Sequence, residues 1–267
     1  MTGRVLVVAG SDSGAGAGIQ ADIKTVGALG GYATTAITAL TAQNTRGVQA
    51  VMAVPPDFVR RQIESVFDDI GADAIKTGML HSAAVLEMLS GFIVARAPDV
   101  PLVVDPVLAA TDGTLLLDAT ALDLLKRRLL PLATVLTPNL PEAELLTGTM
   151  LHDLDAMKRA GAVLVGLGCR YALVKGGHLP GAMVRDVFVG NDEVTVIESP
   201  RIETRSTHGT GCTLASAIAV GLAQGMPPLA AVRRARAYLT EAISSAPGLG
   251  GGHGPLNHMH TVSPSAK

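Results

Sequence analysis

Short, continuous apolar runs rich in β-branched residues alternate along this chain with longer stretches of helical periodicity, and few architectures accept that alternation. The runs are Arg4 to Ala9, Thr34 to Leu40, Ala74 to Thr77, Leu102 to Val104, Thr134 to Leu136 and Ala172 to Val174. Helical patterns fall between them, near Ile19 to Leu29, Pro56 to Ile70, Ala83 to Ala95, Ala119 to Leu130, Pro141 to Leu146 and Leu154 to Leu167. Strands that are apolar on both sides need both faces covered, so the pattern predicts a mostly parallel sheet flanked by helices. From Val184 the pattern changes. Val184 to Val189, the turn Gly190-Asn191-Asp192 and Glu193 to Ile197 predict a β-hairpin. Helical stretches from Gly211 to Gln224 and Pro228 to Ser245 follow. Pro247 and Gly248, Gly250, Gly251 and Gly252 then break the chain, and the tail Ser263 to Lys267 is expected to fray. With no internal repeat and no dividing linker in 267 residues, one domain is expected over 1–267, its glycine-rich segment and tail covering 248–267.

Several function classes are excluded by composition. The chain has no Trp, a net charge of -2 and no basic stripe, so neither stacking platform nor electrostatic footprint for nucleic acid is present. Two cysteines, Cys169 and Cys212, cannot build a disulfide framework and point to a reducing compartment. Strand-like sequence from Arg4 leaves no room for a signal peptide, and no apolar run reaches the roughly 18 residues of a membrane helix. A soluble, cytoplasmic protein is expected, with neither nucleic acid nor membrane as partner.

Two glycine-rich turns lead from extended chain into helices. The first is Ala9-Gly10-Ser11-Asp12-Ser13-Gly14-Ala15-Gly16-Ala17-Gly18; the second is Thr207-His208-Gly209-Thr210-Gly211-Cys212-Thr213. Helix N-termini carry unsatisfied N–H groups and partial positive charge, and glycines let an anion approach them. Neither turn is a Walker A loop, and Gly14-x-Gly16-x-Gly18 has the wrong spacing for a dinucleotide fingerprint. A single turn of this kind is as readily a tight connection. Two in one α/β chain point to phosphate or nucleotide.

The same residues carry a resemblance. Ala9 to Gly14 with Gly18-Ile19-Gln20-Ala21-Asp22 resembles the opening of the hydroxymethylpyrimidine/phosphomethylpyrimidine kinases of thiamin biosynthesis, and Ile37 to Thr45 their second signature. Lys76-Thr77-Gly78-Met79, Val104-Asp105-Pro106-Val107, Thr137 to Glu144, Lys175-Gly176-Gly177-His178, His208 to Thr213 and Gly254 to His258 follow in order. The likeness runs from about residue 5 to 260. It implies a ribokinase-like, three-layer α/β/α fold in a single domain, a homodimer, ATP with Mg²⁺, and two successive phosphorylations. The acceptors it implies are 4-amino-5-hydroxymethyl-2-methylpyrimidine and then its monophosphate. Three positions depart from the family: Ala15 stands where glycine is usual, Leu108 where methionine is, and Asp112-Gly113 where Ser-Gly is. Asp112 puts an extra negative charge in a loop that the family places near the phosphates.

By resemblance, the Gly209, Thr210, Gly211 and Cys212 amides form an anion hole for the moving phosphoryl group, with Thr210 also on the nucleotide. Cys212 stands where many ribokinase-like enzymes have aspartate. A helix N-terminus lowers a thiol's pKa, so Cys212 is expected to accept the hydroxymethyl proton; the plainer reading is a small buried hydrophobe. Lys175, at the carboxyl end of an apolar strand, is expected to neutralise ATP phosphate, and Asn139 to lie beside the nucleotide. Asp105 and Glu142 are expected to hold Mg²⁺, through water, with helix capping and ion pairing as the plainer alternatives. Gln43, after its strand, resembles the family's pyrimidine reader, because a carboxamide can accept from an amine while donating to the neighbouring ring nitrogen. Asp22, Met79 and Gly10 complete that side. Histidines 178, 208, 253, 258 and 260 lack ligand spacing and are read as surface or supporting residues. Pyridoxal kinase, with the same fold and a hydroxymethyl acceptor, is the nearest alternative; a nucleotide-binding protein without catalysis is the alternative from another class.

Overall fold

The computed structural model describes residues 2–108 and 119–262. Asp112-Gly113 and the tail Ser263 to Lys267 lie outside the described residues. Among those described, the chain runs β1 (Arg4–Asp12), α1 (Gly18–Ala28), β2 (Tyr32–Asn44), β3 (Gly47–Ala53), α2 (Pro56–Asp69), β4 (Ala74–Thr77), α3 (Ala83–Arg96), β5 (Leu102–Val104) and α4 (Ala119–Leu124). It continues β6 (Val135–Leu136), α5 (Leu140–Thr147), α6 (Leu154–Gly166), β7 (Tyr171–Val174), β8 (Met183–Val189), β9 (Val194–Pro200), α7 (Thr210–Ala223) and α8 (Pro228–Ser244).

The strands form one sheet in the order β3-β2-β1-β4-β5-β6-β7-β8-β9. Strands β2, β1, β4, β5, β6 and β7 are parallel, while β3, β8 and β9 run antiparallel to their neighbours. Side chains alternate across each strand, so the two faces can be assigned by residue. Val5, Val7, Ala9, Val103, Val135 and Leu173 meet α1, α7 and α8. Leu6, Val8, Ile75, Leu102, Val104 and Val174 meet α2, α3, α5 and α6. This is the three-layer, mostly parallel architecture that the alternating pattern predicts, and the hairpin β8–β9 stands where its turn signals it.

Three elements differ from the sequence reading. Strand β2 continues to Asn44, so Gln43 lies within a strand rather than after one. Its partner β3 went unread, because every residue of it is exposed and no buried face imposes alternation on the sequence. The helix expected from Ala119 to Leu130 is regular only to Leu124, then widens into a π turn over Leu125–Leu129 and tightens to 3₁₀ at Leu130–Leu132. Pro131 removes a donor there and prevents the ladder from continuing.

The chain leaves β1 for β2 on one side and returns to β4 on the other, which makes the carboxyl ends of β1 and β4 a topological switch point. The first glycine-rich turn follows β1. Ala15 in that turn has φ 59, with its N–H donating to Asp12 O at 2.9 Å. A left-handed backbone costs a residue with a Cβ about 1–2 kcal/mol, which explains why glycine suits this position. Replacing Ala15 by Gly should therefore stabilise the protein by about 0.5–1 kcal/mol, after subtracting glycine's extra freedom in the unfolded chain. Urea unfolding measures this, and a lower midpoint for the variant would refute the assignment.

Candidate active site

Asp12 closes β1 and organises the first turn. Its carboxylate accepts from the amides of Gly14 (2.8 Å), Gly16 (3.1 Å) and Ala17 (2.9 Å). The second turn meets it: His208 Nε2 lies 2.8 Å from Asp12 Oδ2. Burial would raise the Asp12 carboxyl, but the bonds from His208, Ala17 and Gly14 outweigh it and hold it below its ordinary value. The turns touch closely. Gly209 caps α7 at φ 84, and a Cβ there would fall 1.9 Å from Gly16 O; a Cβ on Gly16 would fall 2.4 Å from His208 Cδ2. Only glycine fits at both contacts.

The start of α7 faces the carboxyl ends of β5 and β7. A Cβ on Gly211 would stand 3.3 Å from Lys175 Nζ and 3.4 Å from Asp105 Oδ2, which places both side chains over the helix N-terminus. Thr210, the first residue of α7, is half-buried beside them. Lys175 Nζ donates to Asp105 Oδ1 at 3.1 Å, and Thr137 Oγ1 lies 3.2 Å from the same oxygen. Burial would lower the Lys175 ammonium, but Asp105 and Glu142 outweigh it and raise it. The capping alternative is realised at α5: Asn139 Oδ1 accepts from Glu142 N (2.9 Å) and Glu142 Oε2 from Asn139 N (2.8 Å). Glu142 is 5% exposed, and burial, then Asp105, push its carboxyl up against the opposing pull of Lys175. Two carboxylates thus share one ammonium. Such a hard, oxygen-only and electron-rich pair fits Mg²⁺, which keeps most of its water. No group of three His, Cys, Asp or Glu side chains among the described residues could by itself hold a metal ion.

Below this layer lies a buried charge pair that corrects one expectation. Asp22 does not join Gln43: it is fully buried, receives Lys76 Nζ at 3.0 Å on both oxygens, and accepts from Ser216 Oγ at 2.6 Å. A carboxylate on the inner face of α1 meets the ammonium of β4 sooner than it can reach a ligand. Lys76 is itself fully buried and stays protonated, because Asp22, Cys212 and Asp105 raise its pKa against the desolvation that lowers it. Cys212 is corrected too. The half-buried thiol is pushed up to about 11, chiefly by burial, with Asp22 and Asp105 adding to it and Lys76 opposing. The helix N-terminus therefore does not yield a low-pKa thiol here. Cys169 is inert, buried and pushed to about 12.

On the other side stand the remaining residues. Gln43 is half-buried, its carboxamide between Thr41 Oγ1 (3.0 Å) and His208 Nε2 (3.3 Å). Met79 lies across Gly10, whose absent Cβ would meet Met79 Cε at 2.6 Å, and Thr38 Oγ1 donates to Met79 O at 2.6 Å. The segment after α8 closes this edge: Gly252 N and His253 N donate to Thr45 at 3.3 and 2.8 Å, and His208 N to Gly254 O at 3.2 Å. Asp12, His208 and Lys76 received no site role from the sequence. A lysine inside the short apolar run Ala74 to Thr77 is the one signal that marked any of them, because an unpaired charge is not left in a core.

The architecture and this convergence at the strands' carboxyl ends are those of ribokinase-like kinases. A family model described as phosphomethylpyrimidine kinase matches residues 12–257, and the chain belongs to that family. It is 50% identical over 254 residues to the hydroxymethylpyrimidine/phosphomethylpyrimidine kinase of Streptomyces coelicolor, covering 95% of this chain and 93% of the relative. The crystal structure of phosphomethylpyrimidine kinase from Clostridium difficile superposes with a TM-score of 0.80 at 43% identity, over 90% of this chain and 98% of that one. The ADP complex of Bacillus subtilis pyridoxal kinase superposes with a TM-score of 0.89 at 35% identity, over 97% and 98%.

The buried pair generates a stability test. Asp22→Asn or Lys76→Met leaves a buried charge without its partner and should cost about 3–5 kcal/mol in urea unfolding, whereas the double change Asp22→Leu with Lys76→Met should recover most of that loss. Strictly additive losses would show that the two groups do not act as a unit.

Proposed function

We infer that this chain transfers the γ-phosphoryl group of ATP to the hydroxymethyl group of 4-amino-5-hydroxymethyl-2-methylpyrimidine, and then phosphorylates the monophosphate to the diphosphate, in thiamin biosynthesis. One observation carries the reading beyond family membership. His208, two residues before α7 begins, lies 3.3 Å from the Gln43 carboxamide, so the ring reader stands against the turn that leads into the helix N-terminus beside Lys175 and Asp105. Phosphoryl transfer asks the protein mainly for alignment and for positive potential around the moving group. Amides of Gly209, Thr210, Gly211 and Cys212 supply that potential, and Lys175 adds a full charge that ATP phosphate draws from Asp105. Asn139, at the start of α5, borders the nucleotide. Asp105 and Glu142 would hold Mg²⁺, which when bound balances the charge of the ATP phosphates. Gln43 reads the ring, and Met79 forms its apolar wall.

Cys212 takes the hydroxymethyl proton late, as the alcohol oxygen bonds to phosphorus. Burial pushes the Cys212 thiol up to about 11, so its thiolate is a minor form at neutral pH. The chain acts in a reducing cytoplasm as a homodimer; the free thiols of Cys169 and Cys212 support the first, and the exposed Val48, Val51 and Met52 of β3 the second. Among the described residues no helix is long and apolar enough to cross a membrane. Pyridoxal is a second acceptor to weigh, since the Bacillus subtilis pyridoxal kinase superposes with the higher TM-score although the pyrimidine kinase is the more similar in sequence.

Coupled ADP release with the pyrimidine, with mono- and diphosphate products identified by mass, tests the assignment; ADP formed with pyridoxal alone would reverse it. Gln43→Leu leaves two polar ring atoms unpaired and should raise the pyrimidine KM by about 1–3 kcal/mol per group, with ADP affinity unchanged. For Cys212, thiolate is the active form, so kcat/KM should climb about tenfold per pH unit from neutrality toward 11. Cys212→Ser should flatten that rise and lower turnover by about 10²–10⁴-fold. A pH-independent wild-type rate would remove Cys212 as the base.

A further inference from the structure

The carboxamide of Gln43 has two orientations of equal shape, and counting hydrogens decides between them. Asp12 Oδ2 already accepts from the amides of Gly16 and Ala17, and a carboxylate has no proton to give, so His208 Nε2 at 2.8 Å must be the donor. An Nε2 that carries its hydrogen cannot accept from an amide NH₂. The carboxamide atom 3.3 Å away, assigned as Gln43 Nε2, is therefore better placed as the oxygen. The opposite end gives the same answer independently. Thr41 has one hydroxyl hydrogen, and Ser11 O at 3.0 Å takes it. Thr41 Oγ1 can then only accept from the carboxamide atom 3.0 Å away, which must be the NH₂. With the amide turned over, no two donors face each other: the His208 N–H, held by Asp12, is shared with the Gln43 oxygen, and the Thr41 hydroxyl oxygen gains a donor. In the opposite orientation two donors meet at His208 and two acceptors compete for the one Thr41 hydrogen.

We propose that His208, anchored by Asp12, is a specificity-positioning residue that locks Gln43 with its carboxamide oxygen toward the second glycine-rich turn and its NH₂ toward Thr41. The inference rests on the reading of Gln43 as the ring reader. In that lock the oxygen keeps one lone pair and the NH₂ one hydrogen for a ligand. An aminopyrimidine presents a donor, its exocyclic amine, beside an acceptor, its ring nitrogen, and one carboxamide orientation matches that order. A ring with the order reversed is refused unless the amide turns over, and the turn would set two donors together at His208. Two such rings are at hand. The 4-oxo analogue of the pyrimidine, as its lactam, presents C=O beside N–H with nearly the same shape. Pyridoxal places an aldehyde oxygen, an acceptor, where the pyrimidine has its amine. Deleting the lock should thus cost discrimination between rings more than it costs turnover, because His208 touches the reader and not the phosphoryl group.

The test compares the hydroxymethylpyrimidine with its 4-oxo analogue, using kcat and KM for the first and competitive inhibition by the second. His208→Leu removes the donor; His208→Gln keeps an NH₂ that can serve both Asp12 and Gln43. The proposal expects His208→Leu to shrink the preference for the amine roughly five- to tenfold, the order of one hydrogen bond, mainly in KM and in the inhibition constant. It expects His208→Gln to restore the preference. Preference unchanged in His208→Leu, or not restored by Gln, overturns it. ADP affinity and thermal unfolding check that each variant is folded. If His208→Leu fails to fold, Thr41→Val removes the other constraint on the amide and should shrink the preference likewise; an unchanged ratio there overturns the proposal as well. Gln43→Leu separates the two claims. If it leaves discrimination intact, Gln43 is not the reader and the lock falls with it; if it abolishes discrimination while His208→Leu does not, only the lock fails.

Discussion

The carboxylate of Asp12 gathers the amides of Gly14, Gly16 and Ala17 on one side and His208 on the other, and it is where the two glycine-rich turns meet. Asp12 and His208 are 196 residues apart in the chain. An ionised acceptor buried among fixed donors joins the two turns, since charge-assisted hydrogen bonds are roughly twice as strong as neutral ones. Glycines at 16 and 209 then let the backbones come into contact, and a Cβ at either would push the turns apart. With the turns joined, the Gln43 carboxamide comes within 3.3 Å of His208, at the start of the turn that opens α7.

Charge is distributed in two tiers beneath this junction. In the lower tier, Lys76 and Asp22 neutralise each other inside the sheet–helix interface, with Ser216 satisfying one carboxylate oxygen. In the upper tier, Lys175, Asp105 and Glu142 are left one negative charge in excess if all three ionise, and burial of Glu142 raises its pKa in response. A core tolerates a compensated pair better than an excess, and the excess sits in the upper tier. Cys212 lies between the tiers. Its thiol responds to both sets of charges, and burial decides the net direction.

Much of the fold was legible in the sequence because its causes are local. Apolar runs such as Arg4 to Ala9 and Ala172 to Val174 announce buried strands, and the turn at Gly190-Asn191-Asp192 announces a hairpin. Asp105 and Lys175 could be placed at strand ends from chain order alone. What stayed unread had no local signal. Strand β3 is exposed throughout and owes its conformation to pairing with β2. Asp22 was assigned to the ligand because nothing in α1 shows that Lys76 waits opposite it. The low pKa expected for Cys212 considered the helix N-terminus and omitted the desolvation, which depends on everything packed around it.

The sequence by itself determined the parallel sheet, the two glycine-rich turns and the family, since periodicity, turn chemistry and ordered motifs are properties of neighbouring residues. Tertiary structure alone decided that Asp22 pairs with Lys76, that burial raises the Cys212 thiol, and that His208 reaches both Asp12 and Gln43. Those outcomes depend on distances between residues far apart in the chain. Electrostatic and hydrogen-bond energies change by whole kilocalories over an ångström or with the loss of water, and no sequence spacing measures either.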